Sequence, residues 1–292
     1  KATNEPRRRL KQVPLDFPKA IGTCAHLQMA GTPDGRLVVK TRTEVHILDR
    51  SMRVLQTPAG DYNRFGMLAA NDDSIFDCTA AKLLLSSHEG ALVAEYQLEG
   101  YSFMWPMLAP GLLFCVTYDD VGDLTLKDEI IAVDAQTLQL RHRFGLGLLN
   151  DAKQLAVGGD ELYVCDAGNH RLQVFSLSGE HRRSIVGEWR SPEKLCFVKD
   201  RLYLVERDPD EDDVPEHEDD DRDIVAVQGR RIIVLSLQGD ILQVFKHPTE
   251  PTAVFTSICF FDGKLLARFN HYMYTESAGH GTHSWITALQ GL

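Results

Sequence analysis

The stretch "ELYVCDAGNHRLQVFSLSGE", residues 161–180, decides the fold of this chain. It contains an apolar run, a polar turn at Asp166–Arg171, a second apolar run at Leu172–Phe175, and a closing Ser-Gly turn. Short β-rich runs separated by turn residues are typical of paired β-strands. The stretch therefore predicts a unit of strand, tight turn, strand and turn.

The same unit recurs six times along the 292 residues. The copies align on the turn that follows the third strand, which ends at Ser51, Gly100, Thr137, Gly179, Gly239 and Gly291. Helical periodicity is absent, and four strands in each unit of about 40–50 residues is the arithmetic of a propeller blade. We predict a single all-β domain over residues 1–292, a six-bladed β-propeller of four-stranded antiparallel blades. Five and seven blades are the alternatives, because the second copy is the least regular.

The ends of the chain predict how the ring closes. The sixth copy ends at Leu292, directly after its third strand, so its outer strand is missing. The first copy begins only near Cys24, which leaves the segment 7–17 free to pair with the last blade. Pro14 is tolerated there because an outermost strand has one unpaired edge. Lys1 in place of an initiator methionine indicates a processed or excised chain.

The clearest copy resembles the NHL repeat. The matching residues are Asp166, Gly168, Asn169, Arg171, Val174 and Phe175. Gly168 and Asn169 suit the positive-φ positions of a hairpin turn, so we read them as turn builders. The resemblance implies a propeller that serves as a non-enzymatic, protein-binding scaffold module of a larger protein or complex. Ubiquitin-ligase and RNA-regulatory proteins are among the families with such modules.

The charge of the chain is concentrated in one segment. The net charge is -11, and Asp208–Asp223 holds eleven acidic residues and one arginine, which leaves a nearly neutral body. Three readings stay open: a solvated insert, a docking site for a basic protein partner, or a calcium site. The match to a calcium-binding EF-hand loop is poor, because Asp213 stands at the position where that loop requires glycine. Direct nucleic-acid binding is disfavoured by the negative charge.

Cysteine and hydropathy patterns predict an intracellular protein, cytoplasmic or nuclear. None of the six cysteines forms a C-x-x-C pair, and Cys115, Cys165, Cys196 and Cys259 lie in or beside apolar strand-like runs. Such cysteines behave as small buried hydrophobes in a reducing compartment. The best candidate for a membrane span, Met107–Val116, is interrupted by Pro110-Gly111 and is too short.

Three blades have long insertions between their second and third strands: Tyr118–Glu129, Asp208–Asp223 and Asn270–His283. In a propeller these connections emerge on one face, where long loops on a rigid scaffold often carry function. We predict that this acid-rich face docks the partner. The candidate contact residues are Asp119, Asp120, Asp210, Glu211, Asp212, Asp213, Glu218, Asp219, Asp220, Asp221, Tyr272 and Tyr274.

Two other functions stay as alternatives: a metal-dependent hydrolase or lyase at the channel, and an RNA-binding propeller. Among six-bladed propellers, calcium-dependent lactonases and a zinc-dependent lyase related to NHL repeats hold metal with inner-strand side chains. The inner strands recognised here ("HLQM", "QLAV", "KLCFV", "SICFF") are mainly apolar, so no cofactor is predicted. The remaining candidates for Zn or Ca are in the sixth insertion: His271, Glu276, His280 and His283. Phe175, Phe245 and Phe260 are assigned to the core.

Overall fold

The computed structural model describes residues 10–22, 27–60, 66–79, 81–119, 128–207, 229–249, 253–275 and 279–290, with all their side chains except those of 119 and 271–283. Within these ranges, 24 strands pair into six four-stranded antiparallel sheets. This arrangement confirms the predicted all-β, six-bladed propeller. In the same ranges, no helix is long and apolar enough to cross a membrane.

Each blade begins at the central channel and adds its strands outward. Blade 1 consists of β2 (Gln28–Gly31), β3 (Leu37–Lys40), β4 (Val45–Leu48) and β5 (Val54–Gln56). Blade 2 consists of β6 (Met67–Ala70), β7 (Ser74–Cys78), β8 (Leu83–Ser87) and β9 (Leu92–Tyr96). Blade 3 consists of β10 (Tyr101–Ala109), β11 (Leu112–Asp119), β12 (Glu129–Asp134) and β13 (Leu140–Phe144). Blade 4 consists of β14 (Ala152–Gly158), β15 (Glu161–Asp166), β16 (Arg171–Ser176) and β17 (His181–Val186). Blade 5 consists of β18 (Pro192–Val198), β19 (Arg201–Glu206), β20 (Arg231–Ser236) and β21 (Ile241–Lys246). Blade 6 consists of β22 (Val254–Phe261), β23 (Lys264–Thr275), β24 (Gly279–Gln290) and β1 (Lys11–Val13), and a short helix, α1 (Lys19–Gly22), follows β1.

The N-terminal strand closes the ring, as predicted. β1 pairs antiparallel with β24, and Lys11 stands opposite Gln290. Just before β1, Leu10 is buried between blades 5 and 6, and its backbone N–H donates to Oε1 of Gln243 at 3.0 Å. Sequence-distant ends are thus joined in one sheet, which removes the open edge that an incomplete last blade would present.

The core is divided among the blade interfaces. Among the described residues there are six apolar clusters, one at each interface between neighbouring blades. In the cluster between blades 5 and 6, for example, Val205 and Ile232 pack with Phe255 and Phe269. Because each blade buries both faces of its middle strands against its neighbours, the ring is stabilised as a closed circle of nearest-neighbour contacts.

Blades 1 and 2 are also joined by a buried ion pair. Nζ of Lys40 lies 2.5 Å from Oδ1 of Asp77, and both side chains are almost fully buried. Burial lowers the pKa of Lys40 and raises the pKa of Asp77, since each charged form loses its hydration. A Cβ on Gly66 would lie 2.3 Å from the Asp77 carboxylate, so this glycine leaves room for the pair.

The segment Asn270–His283, predicted as a loop, is an extension of two strands. β23 and β24 are twelve residues each and stay paired from Leu265 opposite Leu289 to Thr275 opposite Gly279. The loop prediction was wrong because glycine and histidine, which are common in loops, are here part of two paired strands. The tyrosines and threonines between them favour strands and continue the pairing. Blade 6 is therefore enlarged by a hairpin, of which residues 276–278 are outside the described part.

Phe260 is the core assignment that the structure corrects. Phe175 and Phe245 are buried at blade interfaces as predicted, whereas Phe260 is 37% exposed and lines the central channel. Its neighbour Phe261 packs into the interface between blades 6 and 1. Successive residues of a strand point to opposite sides, so Phe260 faces the channel instead.

Candidate functional site

One face of the ring carries both the connections from second to third strands and the connections between blades. Hydrogen bonds join the two kinds of connection: the Gly168 N–H donates to the Asn150 carbonyl at 2.9 Å, and the Arg207 N–H donates to the Ser191 carbonyl at 2.9 Å. Farther round, the Phe255 N–H donates to the Gly229 carbonyl at 2.8 Å. We call this surface the connection face.

A buried carboxylate organises the connection face of blade 4. Asp166, at the end of β15, is fully buried. It accepts hydrogen bonds from the Asn150 backbone N–H at 2.8 Å, from Nδ2 of Asn169 at 3.0 Å, and from Nε of Arg171 at 2.8 Å. Nη2 of Arg171 also donates to the Leu148 carbonyl at 3.1 Å. The motif residues of the clearest copy therefore tie a turn to the blade connection beside it.

The residue with a positive φ in this turn is not the one that the sequence predicted. His170, not Gly168 or Asn169, adopts the left-handed conformation, with φ of 54°, after a 3₁₀ turn at Ala167–Asn169. Gly168 is required for space, because a Cβ there would lie 2.6 Å from Nδ2 of Asn150. Asn169 acts through its side chain on Asp166. Gly168, Asn169 and His170 therefore all serve to build the turn, as the sequence predicted for the first two.

Blade 5 has a second copy of this arrangement that the sequence analysis missed. Glu206, at the end of β19, is fully buried and accepts hydrogen bonds from the Arg190 N–H at 2.9 Å and from Nε of Arg231 at 2.7 Å. Nη2 of Arg231 donates to the Glu188 carbonyl at 3.1 Å, as Arg171 does to Leu148. The signal was present, since "RLYLVE" ends in an acid as "ELYVCD" does. The longer glutamate and the acidic insertion before Arg231 concealed it.

Exposed apolar side chains surround the blade 4 arrangement. Leu146 and Leu148, in the connection from blade 3, are 65% and 42% exposed, and Val186 at the end of β17 is 73% exposed. Arg171 links these positions, because it is opposite Val186 in the sheet register and binds the Leu148 carbonyl. We call Leu146, Leu148 and Val186 the apolar corner. It combines a rigid base with surface that water solvates poorly.

One end of the blade 5 insertion is fixed next to this corner, and the other end is bound to blade 6. Arg207 follows Glu206, and its Nη1 is 3.4 Å from Oδ2 of Asp151 in the connection between blades 3 and 4. On the other side of the insertion, Gly229 is bound to blade 6 through its carbonyl. In the sequence, the acidic segment Asp208–Asp223 comes between these two residues, and it is outside the described part of the structure.

The blade 3 insertion is anchored by buried polar groups at both ends. The Tyr118 hydroxyl donates to the Ala152 carbonyl, and Oδ2 of Asp128 accepts from the Ala152 N–H at 2.5 Å. Burial raises the pKa of the Tyr118 hydroxyl and also raises the pKa of Asp128. Glu129 forms an ion pair with Arg143. Tyr118 and Asp128 thus bind the ends of the insertion to blade 4, and Glu129 binds its end to the outer strand of blade 3, so all three serve as anchors.

The structure does not describe most of the side chains that the sequence nominated. Asp120, Asp210, Glu211, Asp212, Asp213, Glu218, Asp219, Asp220, Asp221 and Glu276 lie outside the described residues. Asp119 ends β11, and in the extended hairpin Tyr272 stands opposite Thr282, Tyr274 opposite His280 and His271 opposite His283. The side chains at these positions are likewise outside the described part. Where side chains are described, no three His, Cys, Asp or Glu residues are grouped to hold a metal ion.

The central channel contains a cavity of about 840 Å³. Inner strands of all six blades line it, with residues such as Met29, Leu68, Met107, Ala156 and Phe260. Its walls are mainly apolar, as the inner strands predicted. The opening lies on the face opposite the connection face, because the turns between first and second strands contribute to it.

Comparisons with known proteins agree with this architecture. Residues 149–175 match the NHL repeat, a region that includes Asp166, Asn169 and Arg171, and this confirms the resemblance to NHL-repeat propellers. No curated protein sequence matches the chain.

Solved propellers share the fold at low sequence identity. Regucalcin from Agrobacterium tumefaciens, described as a calcium-binding protein, is 15% identical with a TM-score of 0.61, and the match covers 92% of each chain. The WD40 propeller domain of Doa1 is 14% identical with a TM-score of 0.59, covering 90% of this chain and 78% of that one. A chain of the nidogen/laminin complex is 15% identical with a TM-score of 0.57, covering 80% and 83%. These similarities show the fold alone.

Proposed function

We propose that this propeller is a non-enzymatic protein-binding platform, part of a larger protein or complex, that docks a partner on its connection face. The observation that carries the proposal is the position of the apolar corner. Its three exposed hydrophobic residues stand on a base fixed by two buried carboxylate–arginine arrangements. Exposed apolar surface held on a rigid frame is typical of interaction sites.

The negative charge of the acidic segment indicates which kind of partner would bind. Between Asp208 and Asp223 the net charge is -10, and Arg207, the residue before this segment, pairs with Asp151 in the connection that also carries Leu146 and Leu148. A concentrated negative field attracts cationic surfaces and raises their association rate. The partner is therefore a protein that presents apolar side chains flanked by lysine or arginine. Tyr272 and Tyr274 of the neighbouring hairpin, and Asp119 and Asp120 of blade 3, would extend the same surface.

An intracellular location is part of the proposal. Cys78, Cys115, Cys165, Cys196 and Cys259 are free thiols, and four of these five are buried. This pattern supports a reducing compartment, in which thiols serve as packing groups. The location would be read directly from the distribution of the tagged full-length protein.

Two variants of the connection face, one without acidic charges and one without exposed apolar side chains, are each expected to weaken capture of the partner. In one variant Glu218, Asp219, Asp220 and Asp221 are replaced by their amides, and in a second Leu146 and Val186 become serine. Each is used to capture proteins from a cell extract, with quantitative mass spectrometry. We expect at least one protein to be captured by the parent chain and reduced about tenfold by each variant, since central interface contacts and charge pairs are each worth 1–2 kcal/mol or more.

A matched control removes the same number of charges from the other face. Glu89, Glu180, Asp200 and Asp262 are exposed in turns on that side, and their amide variants should capture the partner normally. Equal capture by all variants would contradict docking on the connection face. One equivalent of zinc or calcium in the purified protein would favour the hydrolase or lyase alternative, and salt-dependent RNA affinity would favour the third.

A further inference from the structure

The central channel has two chemically different ends. Toward the open face it is wide and apolar, whereas toward the connection face it narrows to a second space of about 60 Å³. The two spaces are adjacent, since Met29, Leu68, Pro106, Gln154 and Ile258 are in the walls of both. A long apolar cavity that ends in a small polar one suits an amphipathic molecule.

The narrow end is a collar of hydrogen-bond donors. Oε1 of Gln28 accepts the Leu68 N–H, and Oε1 of Gln154 accepts the Leu195 N–H, both at 3.3 Å. Because each carboxamide uses its oxygen to bind the next blade, the amide nitrogen is the group left for the channel. The hydroxyls of the inner strand of blade 6, at residues 256 and 257, are also in this wall.

Lys194 brings an ammonium group to the collar, as one partner of an ion pair with Glu193. Its side chain is 12% exposed, and its ammonium lies 4.4 Å from the centre of the Trp105 ring, across the channel wall from blade 3. One ammonium proton is used by Glu193, whose Oε1 is 2.5 Å away. An ammonium carries three donors, so two remain for an acceptor in the collar. Glu193 itself is not in the wall of the cavity.

The wide end has the opposite charge. Asp73 and Asn71, in the turn between the first two strands of blade 2, stand at the opening together with Pro33, Pro110 and Gln136. Asp73 is exposed. An anionic head would be repelled from this mouth and stabilised at the collar, which sets the orientation of a bound amphiphile.

We propose that the channel binds an unbranched long-chain carboxylate, with its head at Lys194, Gln28 and Gln154 and its tail toward the mouth at Asp73. The β14 and β22 inner strands have seven and eight residues, about 23–26 Å at 3.3 Å per residue, which is long enough for a tail of a dozen carbons. The apolar wall stabilises the tail, and the collar selects the head. This binding is independent of docking on the connection face.

The first test uses calorimetry to measure the affinity of the protein for probes that have the same twelve-carbon tail and different head groups. Each probe is used below the concentration at which it aggregates. Dodecanoate is expected to bind one molecule per chain, at least tenfold more tightly than methyl dodecanoate or dodecyltrimethylammonium. Octanoate should bind more than tenfold more weakly than dodecanoate, because each buried methylene changes Kd by up to about fourfold. Equal affinity for the three twelve-carbon heads, or no saturable binding of dodecanoate, would overturn the proposal.

The second test separates head from tail with two variants. K194M is expected to weaken dodecanoate about tenfold or more, as a charge-assisted hydrogen bond is lost, and to leave methyl dodecanoate unchanged. V157F places a larger ring in the apolar wall and should weaken both probes. The control is K82M, which removes a lysine that also pairs with a glutamate, Glu95, but lies at the outer strands of blade 2 away from the channel, and it should change the binding of neither probe. Binding that both channel variants leave intact would overturn the proposal even if one of them were unstable.

Discussion

Replacing Asp166 with alanine is expected to lower the free energy of unfolding by about 3–5 kcal/mol. The substitution leaves Arg171, the Asn150 N–H and the Asn169 amide without their shared acceptor at the base of the connection face. Arg171 is 31% exposed and can be solvated, so the main cost is the loss of one buried carboxylate that three donors share, since hydrogen bonds to a charged group are each worth about 1.5–3 kcal/mol. Urea denaturation followed by circular dichroism measures the change.

The same loss is expected at Glu206, where Arg231 would be left unpaired. D166N and E206Q keep the shape and should cost less, since the amide oxygen still accepts hydrogen bonds. D160A is the control: Asp160 is 80% exposed and pairs with Arg182, so its loss should cost under about 1 kcal/mol. If D166A and E206A behaved like D160A, these arrangements would not organise the connection face.

Introducing a charge at Leu10 is expected to have a comparably large effect. Leu10 is 6% exposed and belongs to the cluster between blades 5 and 6, next to the strand that closes the ring. L10D would bury a carboxylate in that cluster or pull the segment out of it, and we expect a loss of about 3–5 kcal/mol. Thermal and urea unfolding of the full chain measure it.

The adjacent residue provides the control. Lys11 is exposed and is in β1 itself, so K11D introduces the same group one residue away and should change stability by less than about 1 kcal/mol. Similar losses for L10D and K11D, or none for L10D, would mean that the N-terminal segment does not stabilise the ring.

The ring was predictable from sequence because its evidence is repeated. Six copies of one turn signal outweigh irregularity in any single copy, and the missing fourth strand after the last copy pointed to the N-terminal segment that β1 provides. A long-range pairing such as Lys11 with Gln290 has no local signal. It was predicted only because a propeller must complete each blade.

The details that failed depend on side-chain geometry within a blade. Glu206 does the work of Asp166 with one more methylene, a substitution that motif matching does not recognise. Phe260 has a core composition but faces the channel, since its direction depends on the register of β22. The polar groups at the narrow end of the channel were also not predicted, because Gln154 lies in an inner strand that is otherwise apolar and the residues around it come from other blades.

Ring closure is the claim on which the rest of the account depends, because it fixes which connections share a face. Lys11 and Gln290 are exposed, directly opposed residues of β1 and β24. Opposed residues of an antiparallel pair have the Cα separation that a disulfide needs. The measurement is therefore disulfide formation in K11C/Q290C on a C24S background, detected by mass spectrometry after mild oxidation. We predict a quantitative intramolecular cross-link in K11C/Q290C and little in D16C/Q290C. Absence of the first cross-link, or equal formation of both, would contradict a ring closed by the N-terminal strand.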